Sequence, residues 1–414
     1  MSTRVLVVGG SVAGVCAAAL LARHGVEVTI LERSGEDLAG RGAGIAIHRD
    51  LFEVLAALGL DAGTAVGVHA RGRQLFAADG RVVEQFAQPQ VFTSWGLVYR
   101  MLRGACAARY CKGKVVTDVQ QHAAGVQVGC ADGTWHEADW LIGADGSRST
   151  LRAQVAPSAR LRYAGYVAWR GLVLENALDG EVRAALEHRM SFALPHGEHL
   201  LCYLVAGPED DLRPGQRWYN WVWYRPVGGG APLEDLLTAA DGTHHPDGIP
   251  PALIRDTHVG GMRDAAERLL PPVLGAVVAA TPRPFLQAIV DGRAERLRQG
   301  RVLLIGDAAC TARPHVGLGV SKAAGDAREL GDIFALADPT RRESALTAWE
   351  QRRLAFGHAA LTWGRRLGAH IGAPQAADAR NAGAAAHLAP NTIIREVASP
   401  HPERYLTGDT TSVD

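Results

Sequence analysis

Arg4-Val-Leu-Val-Val8 runs into Gly9-Gly10-Ser11-Val12-Ala13-Gly14, and Glu32 follows further on; this stretch decides the fold. Val5 to Val8 is an unbroken aliphatic run, the pattern of a strand buried on both faces. After the glycine turn, Val12 to His24 is an Ala-rich helix that Gly25 can close. Val26 to Leu31 is a second buried strand. Strand, tight turn, helix and strand make a βαβ unit. The helix N-terminus points free N–H groups at a phosphate, and Gly14 lets the helix pack close to the strand. Ser11 replaces the middle glycine of the usual fingerprint, but it is small enough for the backbone to approach a pyrophosphate. Glu32 suits a ribose 2′-OH and disfavours a 2′-phosphate. The unit is expected to bind a dinucleotide through Gly9, Gly10, Ser11, Val12, Ala13, Gly14, Glu32 and Arg33.

The rest of the 414 residues changes character twice. Residues 49–58 carry a helical stripe of Leu51, Val54, Leu55 and Leu58, with Gly59 as a stop. Residues 115–135 read as short strands with a turn at Asp132-Gly133. From about 160 to 230 the pattern is strand-like and aromatic, which predicts a largely antiparallel sheet. Within it, the Trp221/Trp223 alternation reads as sheet packing. Residues 228–250 read as a loop. Val302 to Ile305 restores the buried-strand pattern, and residues 343–365 look helical. The α/β signals lie at both ends with the aromatic sheet between them. The fold class expected is an α/β Rossmann-like domain with an inserted, largely antiparallel β-sheet domain. The division is 1–72, 98–160 and 285–365 for the first, and 73–97 with 161–284 for the second. Residues 366–414 are left as a C-terminal tail, with a role in a homodimer as one reading.

Composition narrows the partners. Formal charge is zero, which gives no argument for nucleic acid or an anionic membrane. No apolar run reaches the roughly 20 residues of a membrane span. Six cysteines form no CxxC or zinc-like cluster, and the reading is of reduced thiols in a cytoplasmic protein. His244 and His245 lack a third ligand nearby in sequence, so no metal is expected.

Two further motifs follow the fingerprint. Trp140-Leu-Ile-Gly-Ala-Asp145-Gly-Ser147 taken alone is a strand with a turn. Arg301-Val-Leu-Leu-Ile-Gly-Asp307 leads through Cys310 to Arg313-Pro-His-Val-Gly-Leu-Gly319. Asp307 sits where a polar cofactor chain can be held, and Gly317 and Gly319 precede a helix whose N–H groups face a developing negative charge.

In this order and spacing the three motifs resemble the group A flavoprotein aromatic hydroxylases, the para-hydroxybenzoate hydroxylase-like family, over roughly residues 4–365. Gly9-Gly-Ser11, Thr93-Ser-Trp95, Tyr163-Ala-Gly-Tyr-Val-Ala-Trp-Arg-Gly171, Asn220-Trp-Val-Trp-Tyr-Arg225 and Gly306-Asp-Ala-Ala-Cys310 resemble its 2,6-dihydroxypyridine 3-hydroxylase branch. The resemblance implies FAD, with Glu32 on the adenosine ribose and Asp307 on the ribityl hydroxyls. Asp145 would support the cofactor, and Arg41 and Arg100 would lie near the pyrophosphate or flavin. Pro314, Gly317, Leu318 and Gly319 would face the ring. It also implies NADH or NADPH as a transient co-substrate, since no second glycine fingerprint is present. O₂ would react to a flavin C4a-hydroperoxide, which hydroxylates an electron-rich aromatic or heteroaromatic small molecule. The branch commonly carries Gln at position 48, where this chain has His48, so an identical substrate is not implied.

A hydroxylated ring becomes a better nucleophile when deprotonated, so a base near its hydroxyl is expected. His48 and His315 are the candidates, because histidine titrates near neutrality; a helix-start residue and a structural hydrogen bond are the bland alternatives. Tyr203 and Tyr224 are candidates for the substrate pocket. The same scaffold also suits an FAD-dependent oxidase, an epoxidase or a Baeyer–Villiger-type biosynthetic enzyme.

Overall fold

The computed structural model describes residues 2–40, 44–60, 63, 66–246, 248–372 and 388–402. Arg41 and much of the tail lie outside the described residues.

A six-stranded sheet is laid out in the order Arg298–Gln299, Val302–Leu304, Trp140–Gly143, Arg4–Val8, Glu27–Leu31 and Arg109–Cys111. All its pairings are parallel except the edge pair at 298–304. Val5, Leu6, Val7, Leu141, Ile142 and Leu303 are buried, as expected for strands covered on both faces. The helix Val12–Arg23 covers one face and buries Val15, Cys16, Ala17, Ala18 and Leu21. Its small side chains let the helix Gly319–Phe334 lie close; a Cβ on Gly331 would stand 3.2 Å from the Leu20 Cβ. A three-stranded sheet of Val116–His122, Gly125–Cys130 and Trp135–Ala138 adds Val126, Val128 and Ala138 to the same core.

The second sheet has nine strands. Their order is Cys310–Thr311, Phe285–Arg293, Arg162–Leu174, Trp218–Pro226, His199–Val205, Arg189–Ala193, Val68–Phe76, Val82–Ser94 and Gly44–Ala46. Only the pair of Arg189–Ala193 with Val68–Phe76 is parallel. The two-residue period of a strand divides its aromatics cleanly. Tyr219, Trp221 and Trp223 join Val167, Trp169 and Val173 in a core closed by the helices Asp256–Leu269 and Pro272–Ala279. Val222, Tyr224, Tyr166 and Ala168 face the opposite way. Gly171 is required here, because a Cβ would stand 2.5 Å from both the Trp221 Nε1 and the Thr281 Cγ2.

Some elements differ from expectation. The long hairpin Val68–Phe76 and Val82–Ser94 was not read from the sequence, and a helix Gly180–Leu186 interrupts the aromatic stretch. The stretch read as a loop at 228–250 opens with a short helix, Ala231–Leu236, which has Pro at its start.

The segment 388–402 contributes the helix Pro390–Glu396 and is fastened by one buried cation. Arg73, 1% exposed, donates through Nη1 to Ile394 O at 2.7 Å and Val397 O at 2.6 Å, and through Nη2 to Ala398 O at 3.0 Å. Its Nη2 also donates to Gln90 Oε1, and Gln90 Nε2 donates to Ala398 O. Carbonyls left over at a helix C-terminus suit a cation. Arg73→Met should therefore cost roughly 3 kcal/mol, the scale of losing charge-assisted bonds to buried carbonyls. Thermal melts should show the loss, and limited proteolysis should cut near 388–402 before it cuts either sheet.

Candidate functional site

The turn after Arg4–Val8 has no room for side chains. Gly9 has φ of 103°, and a Cβ there would stand 2.3 Å from Ala144 O; one on Gly14 would stand 1.8 Å from Gly9 O. Glu32 is buried and locks the turn: its Oε2 accepts from Gly10 N at 2.7 Å and its Oε1 from Ser34 N at 2.8 Å. A cavity of about 470 Å³ opens here, lined by Gly9, Ser11, Glu32, Arg33, Asp145 and Arg148 among others. Asp145 Oδ2 accepts from Thr150 N at 2.8 Å, while its buried Oδ1 has no partner among the described residues. That orphaned acceptor, and the amide-lined turn without Cβ atoms, fit the phosphate and sugar of a dinucleotide.

A second cavity of about 410 Å³ shares Ser11, Trp95, Ala144, Gly146, Ser147 and Asp307 with the first, so the two form one trough. The Asp307 carboxylate is half-exposed to it, and Lys322 Nζ, itself buried, donates to Asp307 Oδ1 at 3.3 Å and Cys310 O at 2.6 Å. Pro314, Val316, Gly317, Leu318 and Gly319 form one wall, with Gly317 at φ 67°. Val397 and Ala398 line the trough as well, and Ala398 N donates to His315 O at 2.7 Å. Gly44 opposite accommodates Asn220 and Tyr203, which a Cβ would approach to 2.7 Å and 2.9 Å.

The far end is walled by the nine-stranded sheet through Arg170, Met190, Leu201, Tyr203, Val222 and Tyr224. Burial pushes the Tyr224 phenol up to about 12 against the opposing pull of Arg170, and it raises Tyr203 as well. Both phenols are neutral donors at ordinary pH. Tyr203 and Phe92 rings meet with centroids 4.3 Å apart.

The structure brings most expected site residues to the trough: Gly9, Ser11, Val12, Ala13, Glu32, Arg33, Asp145, Asp307, Pro314, Gly317, Leu318, Gly319, Tyr203 and Tyr224 all line it. Gly10 and Gly14 shape the turn itself. Arg100 does not line either cavity, because both its Nε and its Nη2 are drawn to the Asp210 carboxylate. His48 lies behind the wall. It is buried, with Nδ1 3.2 Å from Ser321 Oγ and Nε2 2.9 Å from Ser399 O. A carbonyl only accepts, so Nε2 carries a proton and donates it to Ser399 O. His315 is also behind the wall, with Nε2 2.9 Å from Tyr166 OH and its ring 4.2 Å from that of Tyr224. Arg170, Trp95 and Lys322 were missed as individual site residues. For Arg170 the signal was available: one charged residue among apolar neighbours on a strand with alternating faces.

The profile of the FAD binding domain family matches residues 2–200 and 287–364, and an FAD binding domain-like profile matches 163–291. A 2,6-dihydroxypyridine 3-monooxygenase of Paenarthrobacter nicotinovorans is 32% identical over 89% of this chain and 91% of its own. A 3-amino-4-hydroxybenzoate 2-monooxygenase of Streptomyces cremeus is 29% identical over 85% of this chain and 83% of its own. The solved structure of 2,6-dihydroxypyridine-3-hydroxylase from Arthrobacter nicotinovorans aligns with a TM-score of 0.84 at 31% identity, covering 90% of this chain and 93% of that one.

Beneath the far end sits His199, with both ring nitrogens buried and without partners among the described residues. The rings of Phe192, Tyr224, His315 and His370 surround it. Burial, then the neighbouring His370, holds His199 well below its ordinary value; burial, His199, His370, Arg313 and Arg170 do the same to His315. The folded chain thus refuses protons that the unfolded chain accepts below about pH 6.5. Stability should hold above pH 7 and fall as pH drops through 6 to 5, by up to about 1.4 kcal/mol per pH unit per histidine. Urea midpoints at several pH values measure this, and His199→Leu should flatten the slope.

Proposed function

The chain belongs to the FAD binding domain family as an FAD-dependent aromatic monooxygenase, and on that premise we propose that it is a single-component hydroxylase of an electron-rich, hydroxylated aromatic or heteroaromatic. NAD(P)H is the reductant and O₂ the oxygen source. The observation that carries this reading is the continuous trough from Glu32 to Tyr224, which joins a dinucleotide-shaped turn to a chamber roofed by aromatic and aliphatic side chains.

In this reading Glu32 and Arg33 hold the adenosine end, Asp145 supports the pyrophosphate region, and Asp307 binds the ribityl hydroxyls. Pro314 and Gly317 to Gly319 line the trough and would border the ring, and the N–H groups at the start of the helix Gly319–Phe334 would favour negative charge there. Bound FAD supplies the reduction by NAD(P)H, the activation of O₂ and the delivery of one oxygen atom. The chain's own part is to orient the substrate and to keep water out. Tyr203 and Tyr224 donate to the ring's oxygen substituent, while Leu201, Val222, Met190 and Ile289 surround it with apolar atoms. His48 does not line the chamber; it ties the first turn of the helix Gly319–Phe334 to the segment 388–402 through Ser321 and Ser399. His315 acts through Tyr166 and Tyr224 as a positioning residue.

The purified enzyme should oxidise NADH or NADPH faster when given a hydroxypyridine or hydroxybenzoate panel. Product formed under ¹⁸O₂ should carry one labelled atom. A product that has lost two hydrogens without gaining label would assign an oxidase instead. Separately, Glu32→Ala removes the acceptor that ties Gly10 and Ser34 together. The FAD dissociation constant, read by titrating the flavin-free protein, should rise by about tenfold, the loss of a buried charge-assisted contact, and flavin occupancy after gel filtration should fall. Unchanged occupancy would remove Glu32 from the ribose.

A further inference from the structure

The segment 388–402 lies beyond the residues that either FAD-binding profile matches, yet Val397 and Ala398 form part of the trough wall. Val397 joins Met190, Leu201, Val222 and Leu318 in one apolar cluster, and all five line the cavity. Met190, Leu201 and Val222 come from the large sheet, and Leu318 follows the Gly317 turn. Val397 adds to these an apolar surface from a third part of the chain.

The backbone behind that surface is held at every polar atom of three successive residues. Val397 N donates to Ile393 O at 3.0 Å, and Val397 O accepts from Arg73. Ala398 N donates to His315 O, and Ala398 O accepts from both Arg73 and Gln90. Ser399 N donates to Glu396 O at 3.2 Å, and Ser399 O accepts from His48 Nε2. Ala398 sits at φ 49°, in the left-handed region that residues with a Cβ avoid. Such a conformation persists only where its surroundings over-determine it. The facing loop cannot recede either, because a Cβ on Gly317 would stand 2.6 Å from the Ala398 Cβ.

An apolar wall that cannot move sorts ligands by volume. Its backbone groups are all engaged and its side chain is a valine, so it offers a substrate no polar contact. Atoms that overlap a close-packed, well-fastened surface are rejected and not accommodated. The cavity of about 410 Å³ lies near the lower end of the roughly 300–1,000 Å³ of small-molecule sites. In the aromatic-hydroxylase reading it takes the flavin ring as well as the substrate, which leaves space for one further ring. We propose that Val397 is a specificity-determining residue, the fixed wall that admits a single aromatic ring to the far chamber and turns away fused rings. This rests on the aromatic-hydroxylase reading for the identity of the chamber, but it concerns binding and not turnover.

The test uses the FAD-loaded enzyme and the absorbance change of its flavin on titration. One arm compares 2-hydroxypyridine with 2-hydroxyquinoline, and the other 4-hydroxybenzoate with 6-hydroxy-2-naphthoate. Each pair keeps its polar groups and differs by a fused ring. Greater apolar area alone would favour the fused member. In at least one arm the single ring should nevertheless bind about tenfold more tightly, the scale on which an apolar pocket discriminates size. Val397→Ala should strengthen the fused member about tenfold relative to the single ring, and Val397→Leu should weaken the single ring itself. A merely structural role for Val397 would weaken both members in both variants. Equal or tighter binding of the fused member by the unmodified enzyme in both arms, or no binding of either single ring, overturns the proposal. So does a Val397→Ala protein whose preference is that of the unmodified enzyme. If Val397→Ala does not retain flavin, the unmodified enzyme and Val397→Leu decide by the same titrations. A protein that prefers the single ring yet never incorporates ¹⁸O keeps this inference and loses the hydroxylase reading. One that incorporates ¹⁸O but prefers fused rings keeps the hydroxylase reading and loses this inference.

Discussion

Everything in this chain hangs on a place where no side chain fits. At the end of the strand Arg4–Val8, the backbone of Gly9 meets the Ala144 carbonyl, and Gly14 brings the following helix against Gly9. That contact fixes the angle between the first helix and the parallel sheet. It also places the helix N-terminus in the trough wall that Gly9, Ser11 and Asp145 share. Glu32 finishes the arrangement by bonding Gly10 N from the neighbouring strand. The helix Gly319–Phe334 then packs on the first helix through Gly331, which carries the Gly317 loop to its position over the same trough.

The second organising constraint is the two-residue period of the central strands in the large sheet. It places Trp169, Trp221 and Trp223 in a closed core, with Trp221 Nε1 donating to Thr281 Oγ1 at 2.7 Å. The intervening positions hold Tyr166, Arg170, Val222 and Tyr224. A shift of one residue in register would exchange the two sets, burying a guanidinium in the tryptophan core and turning indoles into the chamber. Structural and functional side chains are thus specified by the same alternation.

This explains what was legible beforehand. The βαβ unit, the aromatic sheet and the strand at 302–304 announce themselves through local patterns, as does the Gly-Asp motif at 306–307. The hairpin at 68–94 did not, because its apolar positions are broken by Arg71, Arg73, Gln85 and Gln90, and the partners that satisfy Arg73 lie some 320 residues away at 394–398. The family resemblance implies Arg100 near the pyrophosphate or flavin, but Asp210, just after a strand of the other sheet, engages it instead. His48 reads as a free base until Ser321 and Ser399, from two distant segments, take up its two nitrogens. Long-range pairing decides each of these, and no spacing rule contains it.

The wall formed by Val397 and Ala398 has a temporal meaning. All strands of both large sheets are complete by Thr311, so these two residues leave the ribosome after every other lining residue. A nascent chain that has reached residue 372 already possesses the glycine turn, Glu32, Asp307 and the tyrosines, yet its Gly317 loop lacks the cover that Arg73 later fastens. That end of the trough is therefore assembled last in biosynthesis, by a segment that Arg73 ties to the large sheet and His48 ties to the start of the helix Arg49–Ala57.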